Sequence, residues 1–345
     1  MTAVFDGHND ALGRLQEEGE DPARFLTGLP DRQLDLPRAR AGGLAGGLFS
    51  IFTPSPDAEL DADGASWSTG LPEPVEHAEA AVFTLGALGR AHALAAASDG
   101  AVRILRTGAD LDRCRQEGAL GIALHLEGAE AVDPELVALE AWHAAGVRSI
   151  GPVWSRPNAF AHGVPFAFPA SPDTGPGLTD AGRALVRRCA ELHIAIDVSH
   201  LNAAGFADIA RLGVAPIIAS HSACHSLCAS TRNLTDDQLR AIAASDGIVG
   251  IVYATLFVRP DGREDSDVPL SVLVDHVRHA VEIAGIDHVG LGSDFDGASM
   301  PDDLSDVAAL PALLHALADA GFTAEEIERI AWRNWRRVLG TVWGG

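Results

Sequence analysis

The 345-residue chain contains no lysine: all 25 of its basic residues are arginine. That absence excludes Schiff-base lysines, phosphate-loop lysines and any metal site bridged by a carboxylated lysine. If two metals are held, a true carboxylate must bridge them. Cations are scarce overall, 25 against 48 acidic residues, for a net charge of −23. Nucleic acid and anionic membrane surfaces both reward cationic patches, so neither is an expected partner. Cysteine is sparse too. Cys114, Cys189, Cys224 and Cys228 make no disulfide framework in a chain this long, and no second pair faces Cys224 and Cys228, so all four read as free thiols. No uninterrupted apolar run approaches the roughly 18 residues that span a bilayer. The first residues enter a strand without a leader pattern, which sets a cytoplasmic expectation.

Hydrophobic residues make up 47 % of the sequence, enough for a substantial core. No repeat or interdomain linker divides residues 1–345, which read as one domain. Eight short apolar, β-branched or Gly-rich segments recur along the chain: 4–8, 46–52, 121–127, 148–154, 193–200, 215–221, 247–253 and 288–294. Runs of this length bounded by turn signals suit strands buried on both faces. Helical patterns separate most of them, at 77–97, 134–145 behind Asp133, 179–192, 236–244, 270–284, 303–320 and 323–338. The last opens with Thr323-Ala324-Glu325-Glu326, a capping box. Eight strands alternating with helices predict an α/β fold, a (β/α)8 TIM-type barrel. The segment from Thr53 to Glu76, rich in Pro, Asp, Ser and Gly, reads as a long loop on the active-site side.

Such barrels work at the C-terminal ends of their strands. The proposed strands end in His8 and Asp10, Glu127, His200, His221, and Asp294 with Asp296. Three imidazoles and several carboxylates on one rim suit a two-metal site that activates water. His8 and Asp10 share a strand face and serve one ion, His200 and His221 the other. Glu127 lies between them and can give one oxygen to each, the bridging carboxylate that a lysine-free chain requires. Asp294 is left as general base or proton shuttle. His125 lies one layer deeper on the face of Glu127, Asp197 reads as a partner of a ligand, and His225 as a loop residue. His143, His276, His279 and His315 fall on helices, as surface or packing residues.

Taken together, Phe5-Asp-Gly-His-Asn-Asp10, Leu126-Glu127-Gly128, Asp197-Val-Ser-His200, Ser220-His221-Ser222, Arg232-Asn233 and Gly292-Ser-Asp-Phe-Asp-Gly297 resemble the membrane (renal) dipeptidase family, zinc peptidase family M19. The resemblance runs in order from residue 4 to about residue 339. It implies a metallo-dependent hydrolase-like barrel holding two Zn2+ per chain, cleavage of dipeptides with tolerance of a D-residue at the C-terminal position, and a homodimer. It gives the metal roles to His8, Asp10, Glu127, His200 and His221, adds Arg232 as the partner of the substrate carboxylate, and places Asp294 against the substrate amine. One position departs from the pattern. Trp154 stands where many members carry a histidine that polarises the scissile carbonyl, and an indole cannot carry a proton or a charge. Either the metals alone stabilise the oxyanion, or Arg156, Asn158 or His162 replaces that histidine. The alternatives to a dipeptidase are another binuclear hydrolase of a small amide or lactone, and a barrel that binds without catalysis.

Overall fold

The computed structural model describes residues 2–54, 60–63 and 66–344. Eight parallel strands form the barrel: β1 (Val4–Asn9), β2 (Leu44–Phe52), β3 (Leu120–Glu127), β4 (Val147–Gly151), β5 (Ala195–Ile196), β6 (Ile218–Ser222), β7 (Ile248–Ile251) and β8 (Val289–Leu291). Their lateral order is β6-β7-β8-β1-β2-β3-β4-β5. A parallel bridge between Asp197 and Ile218 joins the two ends, with Val198 N–H donating to the Ile218 carbonyl at 2.8 Å. The eight segments expected from sequence are therefore all present. Helices cover the outside of the sheet, so a strand such as β3 is buried at every residue and shows no alternation. Beside the first residues of β3, where β4 has not yet begun, the short strand Val102–Ile104 completes the pairing.

The C-terminal segment closes one end. The capping box at Thr323 and Glu326 opens helix Ala324–Glu328, a π-helical turn follows at Arg329–Arg333, and helix Asn334–Trp343 runs beyond the expected end at Val338. The π turn brings Trp332 and Trp335 together under the barrel, where Trp335 packs 5.5 Å from Phe5 and donates to the Leu291 carbonyl at 2.9 Å. A Cβ at Gly7 or Gly290 would lie 2.5 Å from this indole, so only glycine admits it. With its floor filled, the barrel is open at the C-terminal ends of the strands.

Three expectations need correction. The helix expected from Pro134 begins only at Leu139: the Asp133 carboxylate accepts from Val137 N and Ala138 N, and Leu136 is left-handed (φ 63°), so the cap serves a turn. The helix expected from Asp303 is broken into 3-10 turns at Asp302–Leu304 and Val307–Ala309 before helix Leu310–Asp319, because the Asp306 side chain caps Ala308 N part-way. The supposed loop after β2 holds two antiparallel strands, Leu60–Asp63 and Ser66–Thr69, the second paired to Ala167–Phe168. Residues 55–59 and 64–65 of that stretch lie outside the described residues. The helix that follows, His77–Ala97, reaches the length and hydropathy of a membrane span. It buries Ala80, Ala87, Leu88, Ala91 and Leu94 in the core.

Candidate metal centre

The strand ends deliver the expected side chains to one place. His8, at the end of β1, and Asp10, one residue past it, converge, with His8 Nε2 3.7 Å from Asp10 Oδ2. The same nitrogen lies 3.5 Å from Glu127 Oε2 and 4.0 Å from Asp294 Oδ1. His200 Nε2 and His221 Nε2 stand 3.1 Å apart and lie 3.0 Å and 3.5 Å from Glu127 Oε1, and the His221 ring stacks on that of His8 at 3.7 Å. Each oxygen of one carboxylate thus faces its own set of imidazole nitrogens.

Hydrogen bonds behind the rings fix their orientation. The Ser220 hydroxyl donates to Asp197 Oδ2 at 2.5 Å, and its oxygen lies 2.8 Å from His221 Nδ1. Since that hydroxyl proton is committed to Asp197, the network assigns the ring proton to Nδ1 and leaves the lone pair of Nε2 facing Glu127. Ser155 Oγ lies 2.8 Å from His200 Nδ1, and Ser50 donates to Asp10. Sequence reading gave none of these three serines a role, although Ser220 lies in one of its motifs. Two of them stand beside residues it did single out, Trp154 and His221. Asp197 also accepts from Ser199 N and Ser220 N and lies 3.4 Å from His125 Nε2. As expected, His125 and Asp197 sit one layer below the cluster.

Protonation follows from burial and neighbours. Burial disfavours a charged His8, but the carboxylates of Glu127 and Asp10 outweigh it and hold the pKa well above the usual value. Neither ring nitrogen of His8 has a hydrogen-bond partner among the described residues. Burial, helped by the charge of Arg232, pushes His200 down to about 4; burial and His8 hold His221 well below its usual range. Both are therefore neutral donors. Burial would raise Glu127, yet His8 and His200 keep it well below the carboxylate range. Asp294 goes the other way, raised to about 7 by burial and by Asp10. An orphaned buried imidazole, two neutral imidazoles and an ionised carboxylate suit a divalent cation, and two sets of donor atoms lie within 4.8 Å of one another: His8, Glu127 and His221, and His8, Asp10 and Asp294.

A cavity of about 460 Å3 opens onto Asp10, Glu127, His200 and Asp294. Arg232 is not among its lining residues. This buried guanidinium donates to Ser222 Oγ at 2.8 Å and to the His221 carbonyl at 2.5 Å, while its Nε has no hydrogen-bond partner among the described residues. Trp154 does line the cavity, 5.7 Å from the His200 ring. None of the three suggested replacements for the absent histidine reaches the cavity. Arg156 is buried behind Trp154 and paired with Glu130 at 2.9 Å; Asn158 braces its own loop through Pro152 O, Phe160 N and Ala161 N; and the His162 carbonyl accepts from Asn202 N. Asp296 turns away to accept from Gln33 N, and His225 lies 2.8 Å from the Ala170 carbonyl. All four cysteines are free and buried.

The family model for membrane dipeptidases (peptidase family M19) matches residues 1–343. The chain belongs to peptidase family M19. It resembles the crystal structure of dipeptidase AC, a metallopeptidase of family M19, at 43 % identity over the full length of both chains with a TM-score of 0.95. It is 42 % identical, over 99 % of each chain with a TM-score of 0.94, to a Rhodobacter sphaeroides metallopeptidase liganded with a phosphinate mimic of L-Ala-D-Ala. A Klebsiella pneumoniae protein from the pqqA 5′ region is 49 % identical over 250 residues, 72 % of this chain and 92 % of its own. The M19 fold is thus matched end to end. Membership makes this chain a metal-dependent peptidase-type hydrolase, consistent with the imidazole and carboxylate cluster at the barrel mouth.

Proposed function

We propose that this M19 enzyme is a binuclear zinc dipeptidase that hydrolyses free dipeptides and tolerates a D-residue at the C-terminal position. One observation carries the binuclear reading: Glu127 presents Oε2 to His8 and Oε1 to His200 and His221. In this reading His8, Asp10 and Glu127 hold one ion, and Glu127, His200 and His221 the other. Two ions held there would lower the pKa of water and stabilise the developing oxyanion electrostatically. Asp294, poised near neutrality, takes the proton of the attacking water at a carboxylate oxygen and delivers it to the leaving amine nitrogen. Arg232, its Nε unpartnered among the described residues, supplies the positive pole for the substrate carboxylate. The phosphinate dipeptide mimic held by the Rhodobacter sphaeroides relative supports the substrate class and the D-configuration.

The position of Arg232 behind the cavity wall, with its terminal nitrogens already donating, favours a second reading in which a small amide or lactone without a carboxylate is the substrate. One assay separates the two. Dipeptides are offered as free acids and as C-terminal amides to the zinc-loaded wild type and to Arg232→Met. The dipeptidase reading predicts that amidation costs the wild type about 100-fold or more in kcat/KM, and that Arg232→Met removes most of that discrimination. Equal turnover of acid and amide by the wild type would sink it.

A further inference from the structure

Trp154 is built into an aromatic wall rather than left to replace a histidine. Its ring lies 4.8 Å from Phe52 and 5.5 Å from Phe166, edge-on to the latter, and Phe166 continues the wall to Phe257 at 5.3 Å. All four rings line the cavity, and Trp154 and Phe166 also flank the His200 ring at 5.7 Å and 6.0 Å. Behind the wall, the fully buried Arg156 guanidinium stands 4.9 Å from the Phe52 centroid and 5.6 Å from that of Trp154, anchored by Glu130. Keeping an ion pair dry is costly, and this one does not line the cavity. What it does is hold two aromatic faces by cation–π attraction. The wall is therefore a fixed apolar surface beside the His200 side of the cluster.

Charge decides which end of a dipeptide meets it. Asp10 and Asp294 gather at the His8 side, and Arg232 lies behind the lining at the Phe257 end of the wall, 5.9 Å from that centroid, with its charge felt at Asp294. A zwitterion aligned by these poles puts its ammonium toward the carboxylates and its C-terminal residue against the aromatic rings.

We propose that Trp154, with Phe52, Phe166 and Phe257, is the specificity element of this enzyme and selects a bulky apolar side chain on the C-terminal residue of the dipeptide. This inference rests on the dipeptidase reading above. An apolar wall binds ground state and transition state alike, so its effect falls on KM rather than kcat. The test compares L-Ala-L-Leu, L-Leu-L-Ala and L-Ala-L-Ala as free acids on the zinc-loaded wild type, Trp154→Ala, Trp154→Phe and Phe166→Ala. The wild type is expected to prefer L-Ala-L-Leu over L-Ala-L-Ala by about tenfold or more, with no such gain for L-Leu-L-Ala. Trp154→Ala should collapse that ratio through KM and Trp154→Phe should keep most of it. Phe166→Ala, at the neighbouring ring, should collapse it as well and serves if Trp154→Ala does not fold. A ratio unchanged in the folded alanine variants, or a preference set by the N-terminal residue, overturns the inference while leaving the dipeptidase reading intact. Absence of turnover of every dipeptide by the wild type refutes the dipeptidase reading and this inference with it.

Discussion

At His221 a single hydroxyl decides which ring nitrogen is free. Ser220 gives its proton to Asp197 and takes one from Nδ1, so removing it frees the ring to turn or to change tautomer. Ser220→Ala is expected to weaken metal binding about 10- to 100-fold, measured by competition with a chelator, with the fold retained. Affinity equal to wild type would mean that packing alone orients the ring. Sequence exposed the candidate cluster because strand periodicity and barrel geometry together place residues such as His8 and Glu127 on one rim. It could not expose Ser220, since a serine next to a histidine has the same letters whether it orients the ring or faces elsewhere. Nor could it show that Arg156 is buried behind Trp154 rather than directed at substrate. That depends on Glu130 meeting it from the next loop.

Among the elements, helix Leu270–Ala284 is tied to the barrel rim through one imidazole. His276 Nδ1 accepts from Cys224 N–H at 3.1 Å, and its Nε2 pairs with the Val258 carbonyl at 2.9 Å. Burial lowers its pKa from 6.5 to about 4. Between those values the unfolded chain takes up a proton that the native fold refuses. The stabilising contribution is therefore complete above pH 6.5 and is lost as pH falls toward 4, on the order of 2 kcal/mol between pH 7 and pH 5. Urea unfolding at the two pH values should show this loss in the wild type and a smaller one in His276→Gln. Equal losses would contradict the assignment. Elements with local signals were legible: helix Asp236–Ala244 starts at its Thr235 cap, and helix His77–Ala97 has the bounds its pattern suggests. The strand Ser66–Thr69 was not legible, because it and its neighbour Leu60–Asp63 are too short to show a period and its second partner, Ala167–Phe168, lies about a hundred residues away.

For the whole molecule, the two ends of the barrel have separate duties. One is packed shut by Trp335 against glycines, and the other carries the polar cluster. Trp335→Ala should cost about 3–5 kcal/mol in denaturant unfolding while leaving the metal content of the folded fraction unchanged. A loss of bound metal in folded protein would show that the floor also shapes the mouth. The barrel could be inferred from eight buried runs, whereas the π turn that brings Trp332 and Trp335 under it leaves no mark in the sequence pattern.

In the proposed centre one carboxylate, Glu127, joins two ion sites. The most direct test of this is metal content per chain by elemental analysis after zinc loading, for the wild type and for Glu127→Gln. Two zinc ions are expected in the wild type and at most one in the variant. A wild type saturating at one ion, or a Glu127→Gln protein that still holds two, would contradict it.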